Sequence, residues 1–283
     1  MDTETRTICR PLNVVLAPRS PASEAYRSEI LAEGFEPEPG LDLRFLGGRT
    51  LADLRYRLVY LGAWPAAGRS ALDDGLAAAM TDGPLNDVLA QYFPNDEVRT
   101  TVDASTVREG TVPTRLDKTD VERMVQEIGD GDAVVCLLLP PGAVLADGDV
   151  TSEHGLGGYH GSVHVRDSTL YYAAAVYSEG ANGILAFDEP WKNVCATLYH
   201  ELQEVRTDPD VEDAIRAGTS PDAERFLGWY SPEGGEIGDI PMAETHGDIS
   251  LVMREVPLAA GGTAPIQLMW SNRVDGPEGP TVS

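Results

Sequence analysis

Two apolar periods share this chain. Short continuous apolar runs predict buried strands, and apolar positions recurring every three or four residues predict helices. Residues 12–17, 57–62, 98–102 and 133–139 read as strands, with 41–46 a strand or bulge. Residues 161–165 and 169–176 read as strands around Arg166, Asp167 and Ser168, and 266–270 as a last strand. Helices are expected over 22–33, 70–80, 84–92 and 222–226. Another is capped by Thr119 and turns Val121, Met124, Val125 and Ile128 to one side. The longest spans 189–206: Asp188 offers an N-cap, Pro190 fits the first turn, and Val194, Leu198, Leu202 and Val205 form its apolar stripe. Thr207-Asp-Pro209 ends it, because a residue before proline is pushed out of the helical region. Residues 140–158 read as a Gly/Asp-rich loop, and 104–118 come nearest to a linker. The pattern predicts an α/β (α+β) fold with a mixed sheet. We expect a single domain over 1–283, with an N-terminal half at 1–150 and a second half at 151–283.

Composition narrows the partners. The chain has 283 residues and a formal net charge of −25, so phosphate backbones and anionic membrane surfaces are repelled. No apolar run is long enough to span a membrane, and no basic-then-apolar leader opens the sequence. The expectation is an acidic, soluble, cytoplasmic protein. Cys9, Cys136 and Cys195 give no disulfide framework and no zinc knuckle. Phosphate-cradling loops and nucleophile elbows are missing as well.

The chemistry concentrates in the long helix. His200-Glu-Leu-Gln-Glu204 is a His-Glu-x-x-Glu variant of the zinc-protease signature. Four residues apart on a helix, His200 and Glu204 share one side and can grip one metal ion. Glu201 beside them is placed to act as general base. A third ligand must come from elsewhere. Glu236 and Asp239 rank about equally, with Asp208 third because it can instead cap the helix exit. His160 follows Gly158 and precedes Gly161, where backbone can approach a ligand closely, and is a further ligand or an oxyanion-stabilising donor. Tyr159 and Tyr230 could donate to a tetrahedral intermediate; His154, His164 and His246 carry less signal. Zinc is the expected ion, and the carboxylate at the second position also admits manganese or calcium.

Several segments, in order, resemble the phosphate-induced protein 1 or EXORDIUM-like family. They are Val59-Tyr-Leu-Gly-Ala-Trp64, the helix at 116–125, Val135-Cys-Leu-Leu-Leu-Pro140 and Gly157-Gly-Tyr-His-Gly161, followed by His200-Glu-Leu-Gln-Glu204 with Thr207-Asp-Pro209, and by Gly228-Trp-Tyr230 with Glu236-Ile-Gly-Asp239. The resemblance covers roughly residues 56–272. It implies a zincin-like scaffold in which the His-Glu-x-x-Glu helix is the active-site helix. Relatives are typically secreted and cysteine-bearing, whereas here Pro241 stands near the usual cysteine. The expected function is a metal-dependent hydrolase, a peptidase or amidase acting on a peptide or small-molecule substrate. The alternatives are a non-catalytic zincin-like protein that binds a carbohydrate or protein partner, and a metalloenzyme of small-molecule metabolism.

Overall fold

The structure, a computed structural model, describes residues 30–129, 131–220 and 222–279. The strand expected at 12–17 and Cys9 lie outside the described residues, as does most of the helix expected at 22–33.

Among the described residues, six strands make the main sheet: β1 (Asp53–Leu61), β2 (Arg99–Val102), β3 (Thr106–Arg108), β4 (Val134–Leu138), β5 (Gly158–Val165) and β6 (Ser168–Ala175). They run in the order β2-β1-β4-β6-β5, with β3 continuing beside β1 where β2 stops. The pairings are parallel except the last, in which β5 lies antiparallel to β6 with His160 opposite Ala173. The fold is therefore mixed α/β. The continuous apolar run expected near 133–139 is β4, fully buried in the centre, as a strand covered on both faces must be.

The strand period of two divides the core. Leu58, Tyr60, Cys136, Leu138, Ala173 and Ala175 turn to one face, against α1 (Ala66–Thr81) and α4 (Pro190–Thr207). Val59, Leu61, Val135, Leu137, Tyr172 and Ala174 turn to the other, against α3 (Lys118–Ile128). Between them in sequence, α2 (Gly83–Ala90) is capped by Asp82, whose side chain accepts from Leu85 N at 2.9 Å. Burial pushes the Cys136 and Cys195 thiols up and leaves them as small core hydrophobes.

The sheet sets the position of α4. This helix starts with Pro190 in its first turn, but Glu189 and not Asp188 occupies the N-cap, without a side-chain cap bond. From Asn193 to Thr207 nearly every side chain is buried, polar ones included. Arg206 is fully buried. It donates to the carbonyls of Ala52 (2.6 Å), Arg99 (3.1 Å) and Leu51 (3.3 Å), to Thr100 Oγ1 and to Gln203 Oε1. Loss of solvent lowers its pKa to about 10. Those bonds tie the end of α4 to the start of β1 and β2.

Local chemistry overrode the sequence pattern in several places. Asp117, not Thr119, caps α3, accepting from Asp120 N. Residues 140–158 hold two short strands, Val144–Asp147 and Val150–Thr151, and segment 104–118 contributes β3 to the main sheet. Beyond α4 come α5 (Val211–Ala217), α6 (Asp239–Glu244) and a hairpin of β7 (Met253–Pro257) and β8 (Thr263–Gln267). The sequence pattern showed neither α5 nor β7. Strand β8 packs against α4.

Candidate metal centre

Glycine lets β5 come down onto α4. A Cβ at Gly158 would sit 2.6 Å from Ala174 O and 2.9 Å from Thr197 Cγ2, and one at Gly157 would meet Ile184 and Thr197. Two residues later, the pleat turns His160 towards the helix. Its Nδ1 lies 3.3 Å from Glu201 Oε2 and 3.5 Å from Glu204 Oε2. Its Nε2 faces Glu236 Oε1 at 3.5 Å and Asp208 O at 3.4 Å.

His200 and Glu204 lie one turn apart, with His200 Nε2 3.1 Å from Glu204 Oε2. The first turn of α6 brings Asp239 Oδ1 to 3.7 Å from the same nitrogen. Gly238, just before it, donates its N–H to Glu204 Oε1 at 3.2 Å. A Cβ there would stand 2.5 Å from His200 Nδ1, so the approach requires glycine although its backbone angles are ordinary. On the far side of the imidazole, His200 Nδ1 donates to Gln267 Oε1 at 2.9 Å, and Gln267 Nε2 donates to Gly238 O at 2.6 Å.

Among the described residues two donor sets result: His160, Glu201 and Glu204; and His200, Glu204 and Asp239. Within each, one donor atom per residue lies within 4.8 Å of the others. A tetrahedral ion with ligands at about 2.0–2.2 Å spaces them about 3.3–3.6 Å apart. The separations of 3.1, 3.3, 3.5 and 3.7 Å fall around that value. The buried His/Glu clusters could therefore hold a metal ion.

The electrostatics agree. Burial alone would push both imidazoles down, but the carboxylates outweigh it: Glu236, Glu201 and Glu204 hold His160 well above its usual pKa, and Glu204 leads for His200. Burial would raise Glu204, yet the two histidines draw it down to about 2. Burial and the nearby Glu204 hold Glu236 well above the carboxylate range. The Glu204 charge, more than burial, lifts Asp239 to about 7, since its side chain is 58% exposed. Buried Glu236 Oε1 makes no hydrogen bond. Carboxylates outnumber the imidazoles, and a bound cation would take the place of the protons they share.

Seven of the expected residues, Tyr159, His160, His200, Glu201, Glu204, Glu236 and Asp239, line one cavity of about 290 Å³. Asp208 is instead the C-cap of α4. Its Oδ1 accepts from Gly228 N at 2.9 Å, and its side chain stays outside both donor sets. Burial raises its carboxyl to about 7. Tyr230 pairs with Arg44 in a two-stranded ladder and does not line the cavity, although burial raises its pKa and Glu236, Asp239 and Asp208 stand near enough to add to the rise. Tyr159 also lines the cavity, although its ring packs edge-on against Tyr172 in the core beyond the sheet. His154, His164 and His246 are exposed, the first two bonded to Thr151 and to Thr169 and Asp213. Sequence reasoning missed Gln267, Gly238 and the Val211, Glu212 and Ile215 wall on α5. A glutamine on a strand and a short helix after a proline carry no chemical signature.

Compared with known proteins, the chain matches no family model, no curated protein and no solved structure.

Proposed function

We propose that this protein is a metal-dependent hydrolase of the amidase or peptidase class on a zincin-like scaffold. The observation that carries the reading is His200 Nε2, facing Glu204 and Asp239 on the wall of the cavity that also holds Glu201. His200, Glu204 and Asp239 would hold the ion, with zinc or manganese matching the nitrogen and oxygen donors. When bound, such an ion supplies Lewis acidity and lowers the pKa of water at the site.

The chain's own residues do the rest. Gln267 holds the His200 ring so that Nε2 faces the donors. Glu201 stands one residue along the helix, on the cavity wall, where it can take a proton from the attacking water and return it to the leaving group. The substrate is short. The cavity of about 290 Å³ sits at the small end of the ~300–1,000 Å³ range of ligand sites. The β5 edge beside it is partly covered, because Arg216 of α5 donates to Ser162 O. Ile184, Ile215, Met242 and Met253 add apolar wall. A short peptide or a small amide fits this description better than an extended polypeptide.

The test is elemental analysis of untagged protein, wild type beside His200→Ala, followed by a fluorogenic short-peptide screen with Glu201→Gln as control. We expect bound zinc or manganese in the wild type, with the ion held by His200 lost in His200→Ala. Glu201→Gln should retain an ion and lose roughly 10²–10⁴-fold in rate. Wild-type protein that binds no divalent cation would overturn the reading.

A further inference from the structure

We propose that the centre holds two cations, with Glu204 bridging them. This rests on the reading of the site as a metal centre, but adds a second ion that the reading does not need.

The two imidazoles are arranged alike around Glu204. His200 turns Nε2 towards Glu204 Oε2 at 3.1 Å, and its other nitrogen donates to Gln267 Oε1. His160 turns Nδ1 towards the same oxygen at 3.5 Å, and its other nitrogen faces Glu236 Oε1 and Asp208 O. Metal-ligating histidines characteristically present one nitrogen to the ion and give the other N–H to a carboxylate or carbonyl. Here that arrangement occurs twice, from two different elements. Glu236 Oε1, on a residue 92% buried, has no hydrogen bond of its own and stands where it can accept from His160.

The histidines belong to separate donor sets that share Glu204. Its Oε1 is occupied by Gly238 N–H, which leaves Oε2 as the shared donor. Paired ions in hydrolytic sites lie about 3.5–4 Å apart, a spacing that one bridging carboxylate spans. Charge points the same way. Five carboxylates line the cavity; Glu212 is paired with Lys118, and the other four, Glu201, Glu204, Glu236 and Asp239, exceed what one divalent ion balances. Glu201 can serve both ions' chemistry: Oε2 faces His160, while Oε1 lies along Gly158 and stays available for a proton.

The experiment is Mn(II) titration of the metal-free chain, read by bound metal per chain and by electron paramagnetic resonance. Wild type should bind two Mn(II) and show an exchange-coupled signal. His160→Gln and His200→Gln should each bind one, with an uncoupled spectrum. One Mn(II) in wild type would overturn the second ion and leave the hydrolase reading standing. Two coupled ions in folded His160→Gln would also overturn it. No Mn(II) or Zn(II) in wild type would overturn both. If circular dichroism shows His160→Gln unfolded, the wild-type coupling and the His200→Gln count decide between one ion and two.

Discussion

Gln267 joins His200 to Gly238: it accepts from the imidazole at 2.9 Å and donates to the glycine carbonyl at 2.6 Å. The histidine is thereby oriented by the same residue that holds the loop delivering Asp239. Gln267→Leu should weaken divalent cation binding by roughly 10–100-fold while far-UV circular dichroism stays native. Unchanged affinity in a competition titration would mean that the ring is oriented by other means.

Gly238→Ala is a steric probe of the same loop. Its Cβ would stand 2.5 Å from His200 Nδ1 and 2.9 Å from Glu204 Oε1, with no backbone strain to confuse the reading. We expect about 1–3 kcal/mol of destabilisation from overpacking and cation affinity at least ~10-fold lower. Thermal denaturation and metal titration of the one variant report both.

Metal-free protein should lose stability as pH rises from 5 to 8. Asp208 and Asp239 are raised from 3.8 to about 7, so the folded chain keeps protons there that the unfolded chain releases near pH 4. That contribution is present in acid and is lost as pH climbs through 7. His160 and His200, held well above 6.5, add stability that is full below 6.5 and lost as pH rises through their folded values. Glu204, at about 2, acts oppositely, but only as pH falls below its ordinary 4.5. A saturating divalent cation should shrink the fall, because it takes the place of those protons. An apo Tm that is flat or rising over this range contradicts the assignment.

Arg206→Met should cost about 3 kcal/mol or more, because the carbonyls of Leu51, Ala52 and Arg99 lose a buried donor. For a chain of this size that is a Tm loss of roughly 6–12 °C. Since Arg206 touches no donor of the centre, the folded fraction should bind cations normally at low temperature.

The sequence made the period of the elements legible, and with it β4, α4 and the His200/Glu204 pair, because helix spacing alone sets where those side chains meet. His160 was legible as a candidate through its flanking glycines. Its pairing with the other candidates was not, since Glu236 reaches it only through a turn fixed by Ser231 and Gly235. Asp208 left two readings open for a definite reason: a carboxylate after a helix satisfies either a metal or a neighbouring N–H, and here Gly228 supplies the N–H. Tyr230 sits in a short motif beside Glu236 in sequence, but strand pairing with Arg44 decides where it stands. Gln267, 67 residues from His200, was beyond any local pattern.

The residues of the centre come from β5, α4, the start of α6 and the end of β8, so no stretch shorter than 160–267 contains them all. A nascent chain therefore completes the His200, Glu204 and Asp239 set only once residue 239 has emerged, and gains the glutamine that orients His200 only with β8. Full cation capture thus comes late in assembly, and a chain that stops after its long helix can offer an ion at most the His160, Glu201 and Glu204 set.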